Sequence, residues 1–176
     1  IGADFCVATR PAALSDGGIL VAGFARAGAY VAMGGNYSLV LLRYDASGRL
    51  DSRFGVGGEV VVSRLSSTEG QYGTAVQADG KIVVAGKFRD GDVISLGVMR
   101  FNGDGSPDTA FGNAGSDEAR LAGLVSPATV LIQEDGRILV TGLCFDGRSG
   151  TGFAVSCFNN DGSLDTSLGG TGKVVT

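Results

Sequence analysis

Short apolar runs closed by glycine-containing turns recur along the whole chain. The clearest is Ile82-Val83-Val84-Ala85-Gly86, rich in β-branched residues, with Asp79-Gly80 before it and Asp90-Gly91-Asp92 after it. β-branched side chains favour a half-buried pleated surface, and Asp-Gly favours tight hairpins, so the pattern predicts a strand over residues 81–87. Its neighbours are strands over 71–77 and 94–101, the latter broken by Asn102-Gly103-Asp104-Gly105. A fourth strand is clearest as Gly58-Glu59-Val60-Val61-Val62 and Gly172-Lys173-Val174-Val175-Thr176. Residues 117–123 are less clear: local propensity favours a helical turn there, whereas their position in the pattern predicts a strand.

The elements repeat. Asp51-Ser52-Arg53-Phe54-Gly55 returns as Asp108-Thr109-Ala110-Phe111-Gly112 and as Asp165-Thr166-Ser167-Leu168-Gly169, each time 57 residues on. Arg43-Tyr44 returns as Arg100-Phe101 and Cys157-Phe158 at the same interval. The run at Asp79 has counterparts at Asp16-Gly17-Gly18-Ile19-Leu20-Val21-Ala22-Gly23 and Asp135-Gly136-Arg137-Ile138-Leu139-Val140-Thr141-Gly142. Four antiparallel strands per unit is the pattern of a β-propeller blade, so an all-β chain of three blades is predicted, over residues 1–63, 64–123 and 124–176. Three blades do not close a ring, because propellers use about four to eight. An open wedge leaves apolar faces in water, which implies a second copy closing a six-bladed ring, or further blades on a longer or partner chain.

Composition agrees. The 31 glycines disfavour helices and suit many tight turns. The net charge is −4, with no clustered Lys or Arg, which excludes the electrostatic footprint of a nucleic-acid binder. No apolar run is long enough to span a membrane as a helix, and no signal peptide is visible. The first residue is Ile1, which fits a processed product or a piece of something longer. Cys6, Cys144 and Cys157 are an odd number without CxxC or histidine, which suits neither a disulfide scaffold nor zinc. Cys144 and Cys157 fall on neighbouring strands, where either a disulfide or two small buried hydrophobes fits.

The run from Asp79 to Gly86, with Met99-Arg100-Phe101-Asn102 and Asp104-Gly105-Ser106-Pro107-Asp108-Thr109-Ala110-Phe111-Gly112, resembles the bacterial delta-60 repeat over nearly the whole chain. The resemblance implies a β-propeller fold and a place in large secreted or cell-surface proteins. It implies no particular activity. Leu168 in place of phenylalanine, Cys157 in place of arginine and the irregular fourth strand of the second blade depart from the pattern.

Candidate sites are few. The loops at 102–108 and 160–165 place oxygen ligands around a glycine as calcium loops do, making Asp104, Asp108, Asp161 and Asp165 calcium candidates. They lack the closing glutamate of an EF-hand, and Asn, Asp and Gly are also simple turn formers. The first copy carries Arg49 inside this loop, which disfavours a cation. Arg43 and Arg100 are expected to pair with Asp51 and Asp108, as the planar guanidinium fork suits. In the first blade Tyr44 follows Gly23 at an interval of 21 residues, whereas in the second Phe101 follows Gly86 at an interval of 15. The surplus lies at 26–36. Insertions in repeat proteins collect on one face, often the binding face. Tyr30 and Met33 are therefore expected to contact a partner, with Arg89 and Arg148 nearby on the same rim.

Without histidine, a serine or cysteine nucleophile lacks its usual base. A carboxylate pair is the remaining route to a hydrolase. A glycan-binding propeller is an alternative, although the chain has no tryptophan to stack on a sugar. The residues favour a non-catalytic scaffold or protein-interaction module without a cofactor, bound to a protein partner or to itself.

Overall fold

The computed structural model describes residues 5–8, 11–26, 37–62, 73–90, 93–119, 124–145 and 151–176. Among these, the chain consists of strands and turns in three antiparallel sheets, each an up-and-down meander. The first contains β1 (Phe5–Ala8), β2 (Ala12–Ala13), β3 (Ile19–Arg26), β4 (Tyr37–Tyr44) and β5 (Glu59–Val62). Both β1 and β2 pair with β3, as Phe5↔Arg26 and Ala13↔Ile19, so they are two parts of one inner edge. The second contains β6 (Gly73–Val76), β7 (Ile82–Asp90), β8 (Val93–Phe101) and β9 (Ser116–Ala119). The third contains β10 (Leu124–Ile132), β11 (Ile138–Phe145), β12 (Thr151–Phe158) and β13 (Lys173–Val175). These are propeller blades.

Of residues 117–123, Asp117–Ala119 belong to a strand, β9 (Ser116–Ala119), as their place in the repeat predicts, and residues 120–123 lie outside the described residues. The strand pairs with β8 from Met99↔Ser116 to Leu96↔Ala119. The gain from completing a ladder along β8 outweighs a few tenths of a kcal/mol of helix propensity per residue. Of the two readings of the cysteines, the small buried hydrophobe holds: no bridge joins Cys144 and Cys157. The β11–β12 register sets Cys144 opposite Gly152 and Cys157 opposite Leu139. Five residues of strand separate the two positions, roughly 16 Å, well beyond the Cα spacing a disulfide tolerates. Both thiols are buried instead.

Successive residues of a strand point to opposite faces, and here each face meets a different neighbour. On β7, Ile82 and Val84 pack with Leu20, Ala22, Leu39, Leu41 and Phe54 of the first blade. Val83 and Ala85, alternating with them, pack with Val130, Ile138, Val140, Ala154 and Phe158 of the third. On β8, Met99 and Phe101 face backward while Leu96 and Val98 face forward. Both faces of the middle blade are therefore dry. This explains why its strands read as continuous apolar runs rather than an alternation with polar residues.

The forward face of each of the first two blades is plugged by the phenylalanine of its Asp-x-x-Phe-Gly element. Phe54 and Phe111 are fully buried. Each contributes roughly 1.5–3 kcal/mol by leaving water. Next to them lie the turn glycines of the following blade. A Cβ on Gly105 would stand 2.9 Å from Phe54 Cε2 and 2.6 Å from Val60 Cγ2. One on Gly162 would stand 3.3 Å from Phe111 Cδ1 and 2.6 Å from Gly112 N.

Gly105 and Gly80 form an informative pair, since both have positive φ, +86° and +83°, but a Cβ on Gly80 meets nothing within 4 Å. Alanine at either position costs about 1 kcal/mol for the left-handed backbone. At Gly105 a further 1–3 kcal/mol or so is expected from overpacking. Urea unfolding of Gly80→Ala and Gly105→Ala should separate the two effects. Equal losses would show that the blades do not meet this tightly.

Candidate functional site

The chemistry-bearing side chains gather where consecutive blades meet, around the arginine at the end of each third strand. Arg100 is almost wholly buried on β8, and its Nε donates to Asp108 Oδ2 at 2.7 Å. Lys81, at the start of the second strand, donates to the same oxygen at 2.8 Å. The Arg100 guanidinium lies over the Phe111 ring, 4.4 Å from its centroid. This cation–π contact is worth about 2 kcal/mol when desolvated. In the first blade, Arg43 Nε stands 3.3 Å from Asp51 Oδ2. Arg53 holds the other side of that carboxylate at 2.9 Å. Both arginine–aspartate pairs expected from the repeat are present.

Their second function lies across the blade boundary. Arg43 NH1 donates to the carbonyl oxygen of Gly103 at 2.7 Å, and Arg100 NH1 donates to that of Asn160 at 2.6 Å. Each acceptor is 60 residues after its arginine. Arg100 NH1 also donates to Asn160 Oδ1 at 2.9 Å, and Gln77 Nε2 donates to the same oxygen at 3.2 Å. A backbone bond runs beside each clasp, from Gly55 N to the Asp104 carbonyl at 2.8 Å and from Gly112 N to the Asp161 carbonyl at 2.7 Å. Each arginine thus ties its own turn to the next blade. No local pattern signals this contact. The constant interval between arginine and Asn/Asp-x-Asp/Ser-Gly turn was its only trace in the sequence.

Sequence-equivalent positions differ in the third blade. Cys157 stands where Arg100 stands, and Asp165 is held by Arg137 NH1 at 2.7 Å. The Asp165 pKa is lowered to about 2, by bonds from Ser167 first and from Arg137 second. The Cys157 thiol is pushed up, chiefly by burial and then by the Asp165 charge. In the second blade, bonds from Lys81 and then Arg100 lower the Asp108 pKa.

The calcium candidates are drawn into these contacts or into their own turns. Asp104 Oδ1 accepts from Ser106 N at 2.9 Å and Ser106 Oγ at 2.7 Å, and Asp161 Oδ1 does the same with Ser163. A cation beside Asp108 would meet Lys81 and Arg100, and one beside Asp165 would meet Arg137. Among the described residues, no three His, Cys, Asp or Glu side chains come together in a metal-binding group. Asp16, Arg43, Asp51, Arg53, Phe54, Gly103 and Asp104 line a cleft of about 320 Å³ at the first junction. Two of its three carboxylates are paired with arginine: Arg43 also binds Asp16, and Arg53 binds Asp51. Of the rim residues, Tyr30, Met33 and Arg148 lie outside the described residues. Arg89 lies on β7, opposite Ile94, and its side chain is not among those described.

Two outcomes follow from these junctions. Replacing Arg100 by leucine leaves Asp108 with one cationic partner and strands the Asn160 carbonyl, so chemical unfolding should show a loss of about 3 kcal/mol. An unchanged unfolding free energy would remove the clasp. The second outcome concerns pH. The folded pKa of Asp165 lies below the usual carboxylate value of about 3.9. The stabilisation it brings is therefore complete above about pH 4 and disappears as pH falls towards 2. NMR titration of its carboxyl carbon should give a midpoint of about 2. A midpoint near 4 would mean that the Ser167 and Arg137 bonds are not held in solution.

Searches of the curated proteins and of the solved structures returned no match. One family model, described as a domain of unknown function (DUF5122) beta-propeller, matches residues 14–54, 77–111 and 133–168. Each match begins at or just before a blade's first tight turn and ends at the Phe54, Phe111 or Leu168 position, and the first two include the clasp arginines Arg43 and Arg100. The three matches cover well over half of the chain, which therefore belongs to the DUF5122 beta-propeller family.

Proposed function

We propose that the chain is a non-catalytic propeller module that presents variable rim loops to a protein partner, as part of an exported bacterial protein. The observation that carries this reading is the commitment of the carboxylates. Asp16, Asp45, Asp51, Asp79, Asp104, Asp108, Asp135, Asp161 and Asp165 each accept hydrogen bonds from their own turn or from a junction cation. A carboxylate serving as general acid or base must exchange a proton near working pH. Those whose pKa is displaced here are displaced downward, Asp108 and Asp165 among them. Such groups suit a rigid frame better than proton transfer. Export rests on the resemblance to the delta-60 repeat.

The contact region in this reading is the insertion at 26–36, with Tyr30 and Met33, together with Arg89, which lies near the end of strand β7 rather than in a loop, and the segment that carries Arg148. A rigid blade supports a long loop without needing the loop's own contacts for stability. Deleting residues 28–34 should leave the urea unfolding midpoint unchanged while removing binding of the partner protein isolated with the intact chain. Retained binding would place the contact elsewhere. A glycan array run with the intact chain separates the readings further: selective, saturable sugar binding would replace the protein-partner reading with a lectin.

A further inference from the structure

The turn that receives the first clasp carries the one Asn-Gly pair in the sequence, Asn102-Gly103. Both residues are half-buried and Asp104 beside them is exposed, so water reaches the turn. The turn's own bonds use the amides of Asn102, Gly105 and Ser106, which leaves the Gly103 nitrogen outside that set. Glycine also has no β-carbon to shield its nitrogen. Asn102 Nδ2 donates to Ser106 Oγ at 3.0 Å, and that hydroxyl gives its single proton to Asp104 Oδ1 at 2.7 Å.

The third blade holds an internal control. Asn159 N donates to the Ser163 carbonyl at 2.7 Å, as Asn102 N does to that of Ser106 at 2.8 Å. Asn159 Nδ2 donates to Ser163 Oγ at 3.0 Å, and that hydroxyl to Asp161 Oδ1 at 2.7 Å. The two asparagines sit in matching turns, but Asn160 follows one where Gly103 follows the other. Each of the three turns also pairs one acid with one neutral residue: Asp45 with Ser47, Asp104 with Asn102, Asp161 with Asn159. In the first, Asp45 Oδ1 accepts from Ser47 Oγ at 2.6 Å.

We propose that Asn102 is a site of deamidation by water, and that its conversion unlocks the first inter-blade junction. The Gly103 nitrogen attacks Asn102 Cγ, and the Cγ–Nδ2 bond breaks. The amide proton passes through solvent to the departing ammonia, leaving a succinimide. Water then opens that ring at either carbonyl, giving aspartate or isoaspartate. Aspartate sets a second carboxylate against Ser106 Oγ, so two acceptors compete for one hydroxyl proton beside the Asp104 charge. Isoaspartate adds a methylene to the main chain and displaces the carbonyls that follow. Those are the acceptors of the first junction: Gly103 O takes Arg43 NH1 at 2.7 Å, and Asp104 O takes Gly55 N at 2.8 Å. The second junction, built on Asn160 and Asp161, stays closed. This goes beyond the rim reading and does not depend on it.

The test is to age the intact chain in mildly alkaline buffer and map its peptides by mass spectrometry, with amide exchange read on the same samples. Asn102 should convert to aspartate and isoaspartate while Asn159 stays an amide. As it converts, protection of the Gly55 amide should fall about tenfold or more, while that of Gly112 is unchanged. Gly103→Ala should halt the conversion without disturbing the fold. A Cβ there stands 3.4 Å from the Gly80 carbonyl oxygen, an ordinary contact, and Asn160 carries a side chain at the matching position. Asn102 persisting as long as Asn159 would overturn the inference, as would equal conversion in Gly103→Ala. Conversion that leaves Gly55 protected would show that the junction does not depend on this turn.

Discussion

Everything in this molecule depends on one sheet covering the face of the next. A single four-stranded meander has two apolar faces and no interior of its own. Val83 and Val84 are neighbours in sequence and both buried, yet they belong to different cores. Apolar burial gives such stacking its free energy but little register, because valine, isoleucine and leucine side chains tolerate sliding. Register comes from the polar contacts at the junction. A guanidinium held by its own turn's aspartate reaches the carbonyl of the next turn, and a neighbouring glycine amide donates beside it. Both are directional, and both would be left unsatisfied by a slip of one residue.

The same constraint accounts for the distribution of charge. Among the described residues, Arg100, Asp108 and Gln77 are, with Asp51 and Ser156, the buried polar side chains in cores that are otherwise apolar. Buried charge is tolerated when paired and fully hydrogen-bonded, and Arg100 meets both conditions through Asp108 and Asn160. The third blade lacks this arginine, and Arg137 supports its aspartate in place of the deeper cation. The repeat is therefore graded: the first two junctions are clasped, and the third blade's forward edge is built differently.

Much of this was legible in the sequence. The interval between the three Asp-x-x-Phe/Leu-Gly elements established the blades, and the arginine–aspartate pairs followed from side-chain geometry. Residues 116–119 show why repeat register outranks local propensity, since their pairing with β8 is a tertiary gain that no window of a few residues contains. The cysteines show the reverse limit. Adjacent strands were correctly inferred, but Cys144 and Cys157 lie five positions apart along them, a matter of register that the residue types between the two strands do not reveal. The second reach of each arginine was hidden because it joins residues of different blades, and the acceptor is a main-chain carbonyl with no side-chain signature. The insertion residues Tyr30 and Met33, like Arg148, stand outside the described structure, so their reading still rests on loop length and composition.

The junction is tested most directly by amide hydrogen exchange at Gly55 and Gly112, which sit in turns yet donate to the carbonyls of Asp104 and Asp161 in the following blade. If neighbouring blades are locked as described, these two amides should be protected as strongly as the strand amides of Val83 and Val84. Exchange at the rate of an exposed turn amide would contradict that locking and leave three sheets touching only through their apolar faces.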